Sequence, residues 1–385
     1  MVVSKPRILV ASRYFPPAFQ GGGPIRSISA LVSSAEVHFD FFVACSAKDL
    51  GEKTTLEGVS LGEWVEWSSS SVRYHKSGAP SFREWLEIIR EVQPDVIYVN
   101  SLFDVRYLMP IFASYVMRSG ASVLLAPRGE LLPGAMRKSN LKKRAFTTLL
   151  RRSNFMRNVN WHASNEDEAA SIRAVFGERC EVFVAENLWV RSGPVVRHES
   201  GSRLVIAFLS RIAPKKNLLG AVRALSALTE EVTFLVAGPV DEASYWKLVT
   251  ESIDELPANV TVQILGALNP EDSRALLTSS DLFLFPTFGE NFGHVIVEAL
   301  DVGTPVIVGP DTPFSRWANE CRAIEVCDPD DVSSITEGIR SLMERVKCDS
   351  QALSKAAEDL LESQFSQKMP LRRNIQMFRA CASND

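Results

Sequence analysis

The sequence predicts an α/β protein built from two parallel sheets in series. Three observations carry this. Short apolar or β-branched runs alternate with helix candidates along the first half of the 385 residues. The alternation stops at one Pro/Gly/Ser-containing stretch and then restarts. The strand candidates are continuously apolar rather than alternating, as strands buried on both faces of a parallel sheet are.

In the first half the strands read as RILVAS (7–12), FDFFVAC (39–45), DVIYVN (95–100), SVLLAP (122–127) and VNWHAS (159–164). Helices are expected near 23–34, 82–92, 104–118, 138–153 and 165–175. Residues 46–75 break the rhythm, and their serines and glycines read as a surface excursion. Residues 190–202, VRSGPVVRHESGS, carry no period and read as an interdomain linker. In the second half the strands are LVIAFLS (204–210), VTFLVAG (232–238), VTVQILG (260–266), DLFLFPT (281–287) and TPVIVG (304–309). Helices are expected near 217–228, 242–254, 270–279, 293–302 and 331–346. Asn269-Pro270-Glu271 supplies a cap, a Pro at N1 and a first-turn acid. Two Rossmann-like sheets follow, with a ligand cleft between them at the carboxyl ends of the strands.

Composition narrows the function. The net charge is −4, against a protein that coats nucleic acid. No apolar run approaches the roughly 18–20 residues of a membrane span, and the N-terminus reads as a strand rather than a leader. Six cysteines without CxxC spacing fit free thiols in a reducing cytosol. Five isolated histidines lack metal-ligand spacing, so no metal site is expected.

Three loops carry candidate chemistry. Gly21-Gly22-Gly23 lies between a strand and a helix. It is not a Walker loop, because Pro24-Ile25-Arg26 follows where Lys and Ser/Thr should. It is not a dinucleotide fingerprint, because Arg26 replaces the third glycine and Asp40 is a weak ribose clamp. It reads either as an anion cradle at a helix start or as a tight turn with no ligand. LSRIAPKKNL places Arg211 and Lys216 in one loop, a planar fork and a mobile point charge suited to a diphosphate, or else a solvated basic loop. FPTFGENFGHVIVEAL sets Glu290 in a Gly-rich loop and Glu298 on the following helix. Eight helical residues turn roughly 80°, so the two carboxylates would not share a face. A loop carboxylate suits sugar hydroxyls and a helix carboxylate suits a ribose, while backbone N–H groups over Asn291, Phe292, Gly293, His294 and Val295 would face an anion.

Together these residues resemble family GT4, the retaining GT-B "glycosyl transferases group 1". The spacing from Glu290 to Glu298 resembles its E-x7-E motif, SRIAPKKN its Arg/Lys diphosphate motif, and PPAFQGGGPIRS its N-terminal loop. LLAPRGELLPGAMRKSNLKKRAF and WHASNEDEAASIR resemble a bacterial branch found in surface-polysaccharide clusters.

The resemblance implies a GT-B fold: an acceptor-side domain over 1–190, a nucleotide-sugar domain over 200–365, and a helix over 366–385 crossing back to the first. It implies transfer of a sugar, with retention, from a nucleoside-diphosphate-sugar to a glycan or lipid-linked acceptor in lipopolysaccharide, capsule or exopolysaccharide synthesis. Arg211 and Lys216 would hold the diphosphate, Glu298 the ribose, and Glu290 with Asn291, Phe292 and Gly293 the donor sugar. Gly21, Gly22 and Gly23 would approach from the other domain. Many relatives carry a His after the fourth strand where this chain has Arg128, which would contact an anion or sugar hydroxyl or else be structural. The family's front-face mechanism needs no protein nucleophile and no metal. Asp328-Pro329-Asp330 reads as helix capping. Other readings within the fold are an epimerase, a phosphorylase or an inactive partner subunit.

From Gly134 to Val159 there are eight Lys/Arg (Arg137, Lys138, Lys142, Lys143, Arg144, Arg151, Arg152, Arg157) and no acids. Leu141, Phe146, Leu149, Leu150 and Phe155 are interleaved among them. An amphipathic helix reaching an anionic membrane surface through 137–157 is expected, or else a solvated basic face. The protein would then be cytoplasmic and peripheral on the inner face of the plasma membrane.

Overall fold

The computed structural model describes residues 4–132, 141–153, 156–191 and 203–383. The side chains of Leu141, Lys142 and Arg144, all of Arg137, Lys138 and Phe155, and most of the expected linker (192–202) lie outside the described residues. The chain divides into two compact units, Met1–Trp189 with Gln367–Asp385, and Val190–Ser366.

The first unit is an eight-stranded sheet of order β3-β4-β2-β1-β5-β6-β7-β8. Its strands are β1 (Arg7–Ala11), β2 (Asp40–Ser46), β3 (Trp64–Trp67), β4 (Ser70–His75), β5 (Val96–Asn100), β6 (Ser122–Ala126), β7 (Val159–Ala163) and β8 (Val182–Val184). All pairings are parallel except β3 with β4. Alternate residues of β1 enter opposite cores. Ile8 and Val10 pack with the helix Gly23–Ala35 and with Met377 and Phe378 of the last helix, Lys368–Ala382. Leu9 and Ala11 face Trp85, Ile88, Tyr107 and Ile111 on the helices Phe82–Val92 and Val105–Met117. Full burial of each Ile, Leu or Val among them is worth roughly 1.5–3 kcal/mol. The last helix is held to this unit by edge-on ring contacts of Phe378 with Phe41 and Tyr98, and by Asn374 Nδ2 donating to Glu186 O (3.0 Å).

Residues 46–75 are not a plain surface excursion. They contain β3 and β4, which add two strands to the sheet, and β4 pairs with β2 in parallel. Polar residues interspersed in β3, at the sheet edge, and in β4 beside it conceal them. The excursion proper is shortened to about 47–63.

The second unit is a parallel six-stranded sheet of order β11-β10-β9-β12-β13-β14. Its strands are β9 (Leu204–Leu209), β10 (Val232–Ala237), β11 (Val260–Gly266), β12 (Leu282–Phe285), β13 (Val306–Val308) and β14 (Ile324–Val326). All four residues of β12 are buried. The helices Leu218–Leu225, Ala243–Asp254, Pro270–Thr278, His294–Asp301 and Val332–Gln364 connect or follow the strands. Asn269 accepts from Asp272 N at 2.9 Å, as its sequence signature implies. Asp331 caps the last of them by accepting from Ser333 N, and Asp328 Oδ1 accepts from Asp330 N (3.0 Å), so the Asp-Pro-Asp run serves that helix start. The helix runs well past residue 346, with a break in helical geometry at Asp349.

Both sheets reverse direction once. From β1 the chain adds strands on one side, then returns to place β5 on the other side of β1. From β9 it does the same and returns to β12. Each reversal leaves a crevice at the carboxyl ends of two neighbouring strands, where ligands of open α/β sheets bind.

Candidate functional site

The reversal between β9 and β12 brings together two of the sequence candidates. The loop after β9 contains a short 3-10 turn, Pro214–Lys216, and the loop after β12 contains Glu290. Lys216 Nζ donates to Glu290 Oε1 in a short ion pair. The side chains are 17% and 14% exposed, so the pair is mostly shielded yet open at one side. The ammonium also lies 5.4 Å from the Phe285 ring centroid. Thr287, fully buried, has its Oγ1 3.1 Å from both Glu290 Oε1 and Lys215 O, and Phe288 N donates to Lys215 O (3.0 Å). The two loops are thus bonded to each other through main chain and side chain. An ammonium has three N–H donors, and Glu290 takes one.

Glycine makes this cradle possible. A Cβ on Gly309, just after β13, would fall 2.0 Å from Thr287 O. A Cβ on Gly238, just after β10, would fall 1.8 Å from Ser210 O. Each glycine lets a neighbouring loop cross at backbone distance. Glu290 N donates to Asp311 O (2.9 Å), which fixes the loop from its other side.

Gly293, at φ 80°, opens the helix His294–Asp301, and no side chain caps that helix start. A helix start without a side-chain cap offers its partial positive charge to an anion. Asn291, Phe292 and Gly293 form the turn, His294 and Val295 begin the helix, and the rings of Phe292 and His294 are 4.6 Å apart. Glu298 lies one turn on, half-buried. Arg211 takes a different partner: its Nη1 donates to Asp241 Oδ2 (2.7 Å), which follows β10. That contact spans two loops braced by Ile212 N donating to Pro239 O (2.8 Å).

The glycine loop of the first unit has the same type of start. Gly22, at φ 70°, precedes the helix Gly23–Ala35 without a side-chain cap. Nothing lies within 4 Å of where its Cβ would be, so conformation rather than crowding requires glycine there. Asp49, buried after β2, accepts from Phe19 N (2.8 Å) and Gln20 N and so holds the loop. Sequence reasoning missed Asp49 and considered Asp40. Asp40 begins β2, at the amino end of the sheet, where Asp40 N donates to Pro6 O (3.0 Å). It therefore lies at the wrong end of the strand for a ribose.

Arg128 follows β6 and points into the first unit. Its Nε and Nη2 donate to Asn100 Oδ1 (3.1 and 2.9 Å), Nη2 to Tyr98 Oη (2.7 Å), and Nη1 to Asn187 Oδ1. His162 Nε2 is 2.8 Å from Ala185 O and Nδ1 is 2.7 Å from Tyr98 Oη. A carbonyl only accepts, so His162 carries its proton on Nε2 and Tyr98 donates to Nδ1. Burial, with the Arg128 charge, lowers the His162 pKa to about 3, and burial pushes Tyr98 up to about 12. Arg128 is bound by protein groups on all three nitrogens, while the buried Nδ2 of Asn100 has no hydrogen-bond partner among the described residues.

Leu149, 68% exposed, stands with exposed Lys143, Arg151 and Arg152 on the helix Leu141–Arg152, while Leu150 is buried. Among the described residues, no helix is long and apolar enough to cross a membrane.

Fold and site together define a two-sheet protein of the GT-B class. Residues 196–360 match the profile of the family "Glycosyl transferases group 1". That match covers most of the second unit. Across the whole chain the fold is similar to sucrose-phosphate synthase of Thermosynechococcus elongatus, with a TM-score of 0.74, 14% identity, and coverage of 99% of this chain and 100% of that one. It is also similar to Anabaena Alr3699/HepE in complex with UDP-glucose, with a TM-score of 0.73, 18% identity, and coverage of 97% and 99%. In sequence it is similar to O-antigen chain mannosyltransferase B of Escherichia coli, 27% identical over 138 residues, 34% of this chain. That match spans about a third (35%) of the relative's length.

Proposed function

We propose that this chain is a retaining glycosyltransferase that moves a sugar from a nucleoside-diphosphate-sugar to a glycan or lipid-linked saccharide in bacterial surface-polysaccharide synthesis. The observation that carries it is the meeting of Lys216 and Glu290 at the β9/β12 reversal, beside the uncapped helix start at Gly293. Likeness of fold to a protein solved with UDP-glucose supports a nucleotide-sugar donor. Local similarity to an O-antigen mannosyltransferase supports the polysaccharide setting.

In this reading Lys216 and Arg211 stabilise the diphosphate as its charge develops. The N–H groups from Asn291 to Val295 support the same anion, and Glu298 accepts from ribose hydroxyls. Glu290 accepts from donor-sugar hydroxyls while holding Lys216 in place. The two cations take the neutralising role, so no metal is required. Gly21, Gly22 and Gly23 leave a second uncapped helix start in the first unit, suited to a donor phosphate or sugar. Arg128 acts through the network it binds, by fixing the loop after β6. The acceptor hydroxyl attacks on the face from which the diphosphate departs, and a leaving phosphate oxygen takes its proton.

A thermal-shift panel of UDP-, GDP-, ADP- and dTDP-sugars tests the donor claim. One donor at about 100 times its Kd should stabilise the protein by roughly 2.7 kcal/mol, with or without EDTA. No shift from any donor, or a shift abolished by EDTA, would defeat it. The basic helix adds a second element: Leu149 beside Lys143, Arg151 and Arg152 suits the surface of an anionic membrane. Flotation with anionic liposomes should recover the protein at low salt and lose it at high salt. Recovery independent of salt or of lipid charge would contradict that contact.

A further inference from the structure

The four sheet edges are not guarded alike. β3 is four residues long and carries exposed Glu66, and β8 and β14 are three residues each. Short or charged edges resist pairing with a strand of another chain. β11, the remaining edge, is seven residues long and uncharged. No charge occurs anywhere between Glu255 and Glu271, in a chain that is 23% charged. From Gln263 to Gly266 every residue is exposed, Ile264 by 52% and Leu265 by 40%.

The direction of the main-chain groups defines what this edge offers. Val232 N donates to Asn259 O (2.8 Å), which sets the phase of the β10–β11 ladder. In a parallel ladder both groups of one residue point to the same side, and the sides alternate along the strand. Thr261 and Gln263 therefore turn toward β10, and Val260, Val262 and Ile264 turn outward. Val260 N donates to Pro257 O (3.0 Å). Val260 O and both groups of Val262 and Ile264 remain, and β11 pairs with no strand but β10 among the described residues. The pairing skips Leu265, a bulge that ends the regular edge at Ile264.

We propose that β11 is a dimerisation edge, on which two copies of this chain pair antiparallel across a two-fold axis. A two-fold axis requires that each strand be complementary to itself. Centred on Val262, the register satisfies this. Val262 N donates to Val262 O of the second copy, Ile264 N donates to Val260 O of the second copy, and both bonds are repeated by symmetry. Thr261 stands opposite Gln263 of the second copy, on the face they share with half-buried Thr233 and Leu235. Charge selects this occupant. Two copies bring no like charges together, whereas a charged peptide would meet no counter-charge between residues 255 and 271. So short a contact falls in the weak class of interfaces. The proposal concerns the second unit alone and does not rest on the function proposed above.

Sedimentation velocity on the full chain tests it. The protein should pass from monomer to dimer between about 5 and about 500 μM. Val262→Pro removes an outward N–H and keeps every ladder bond to β10, so it should weaken the dimer at least tenfold. Thr261→Glu with Gln263→Glu should do the same, as should Thr261→Lys with Gln263→Lys, because like charges then stand directly opposite. An equimolar mixture of the acidic and basic variants should restore the dimer. Thermal unfolding of each variant reports that it is folded. Monomers at every concentration would overturn the proposal and leave the edge to a strand of another protein. A dimer that survives all three variants, or charge variants that stay monomeric when mixed, would also overturn it. Sugar-nucleotide binding, measured separately, bears on the donor reading and not on the dimer.

Discussion

The two sheets reverse at equivalent places, β1/β5 and β9/β12, and the crevices there carry different chemistry. At β9/β12, Lys216 and Glu290 meet over a cradle of glycine-permitted backbone crossings, next to a helix start that no side chain caps. At β1/β5, Arg13 Nη2 donates to Asp104 Oδ1 (3.1 Å) beside Ser101, which holds φ 122°, and Arg128 is bound by protein groups. Topology gives both units the same location for a ligand, and residue type decides which ligand. One crevice sets an ammonium against a carboxylate beside an uncapped helix start, and the other sets a guanidinium against a carboxylate.

That contrast can be broken most severely by closing the cradle. Gly309→Ala sets a methyl group where Thr287 O now lies, so the Thr287–Glu290 loop must move. The expected cost is about 3 kcal/mol in urea unfolding, with loss of any nucleotide-sugar stabilisation. Gly22→Ala, the equivalent helix start in the first unit, meets open space and should cost only about 1 kcal/mol, the penalty of its positive φ. Equal losses for the two would remove the distinction between a crowded cradle and an open turn.

Acid should separate the units. Burial lowers His162 to about 3 and His75 to about 4 from an ordinary 6.5, and both lie in the first unit. Between those values the unfolded chain binds more protons than the native one. Stability is therefore complete above about pH 6.5 and falls as the pH drops, by about 1.4 kcal/mol per pH unit for each histidine. Hydrogen exchange at pH 7 and pH 4.5 should show protection lost first in the first unit. Earlier loss in the second unit would contradict this.

Much of the fold is legible because its strands are buried on both faces. RILVAS, DVIYVN and DLFLFPT contain continuous apolar runs that only a covered parallel sheet explains. The missed strands are short, lie at an edge or mix polar residues into the run. β3 and β4 mix Trp and Val with Ser, Arg and Glu, while β8 and β14 are three residues each. The site was legible as separate motifs, not as contacts. Lys216 and Glu290 are 74 residues apart, and no local period links them. Asp49 and the Tyr98–His162–Arg128 chain were hidden for a similar reason. Tyr98 sits in a run that reads as core, and only the fold brings its hydroxyl to a histidine 64 residues away.

The central claim is that the β9/β12 crevice holds a sugar nucleotide through Lys216. Calorimetric titration of the donor that stabilises the wild type, into wild type and folded Lys216→Ala, tests it most directly. The account expects the variant to bind at least tenfold more weakly, the loss of one charge-assisted hydrogen bond. Wild-type affinity in Lys216→Ala would contradict it.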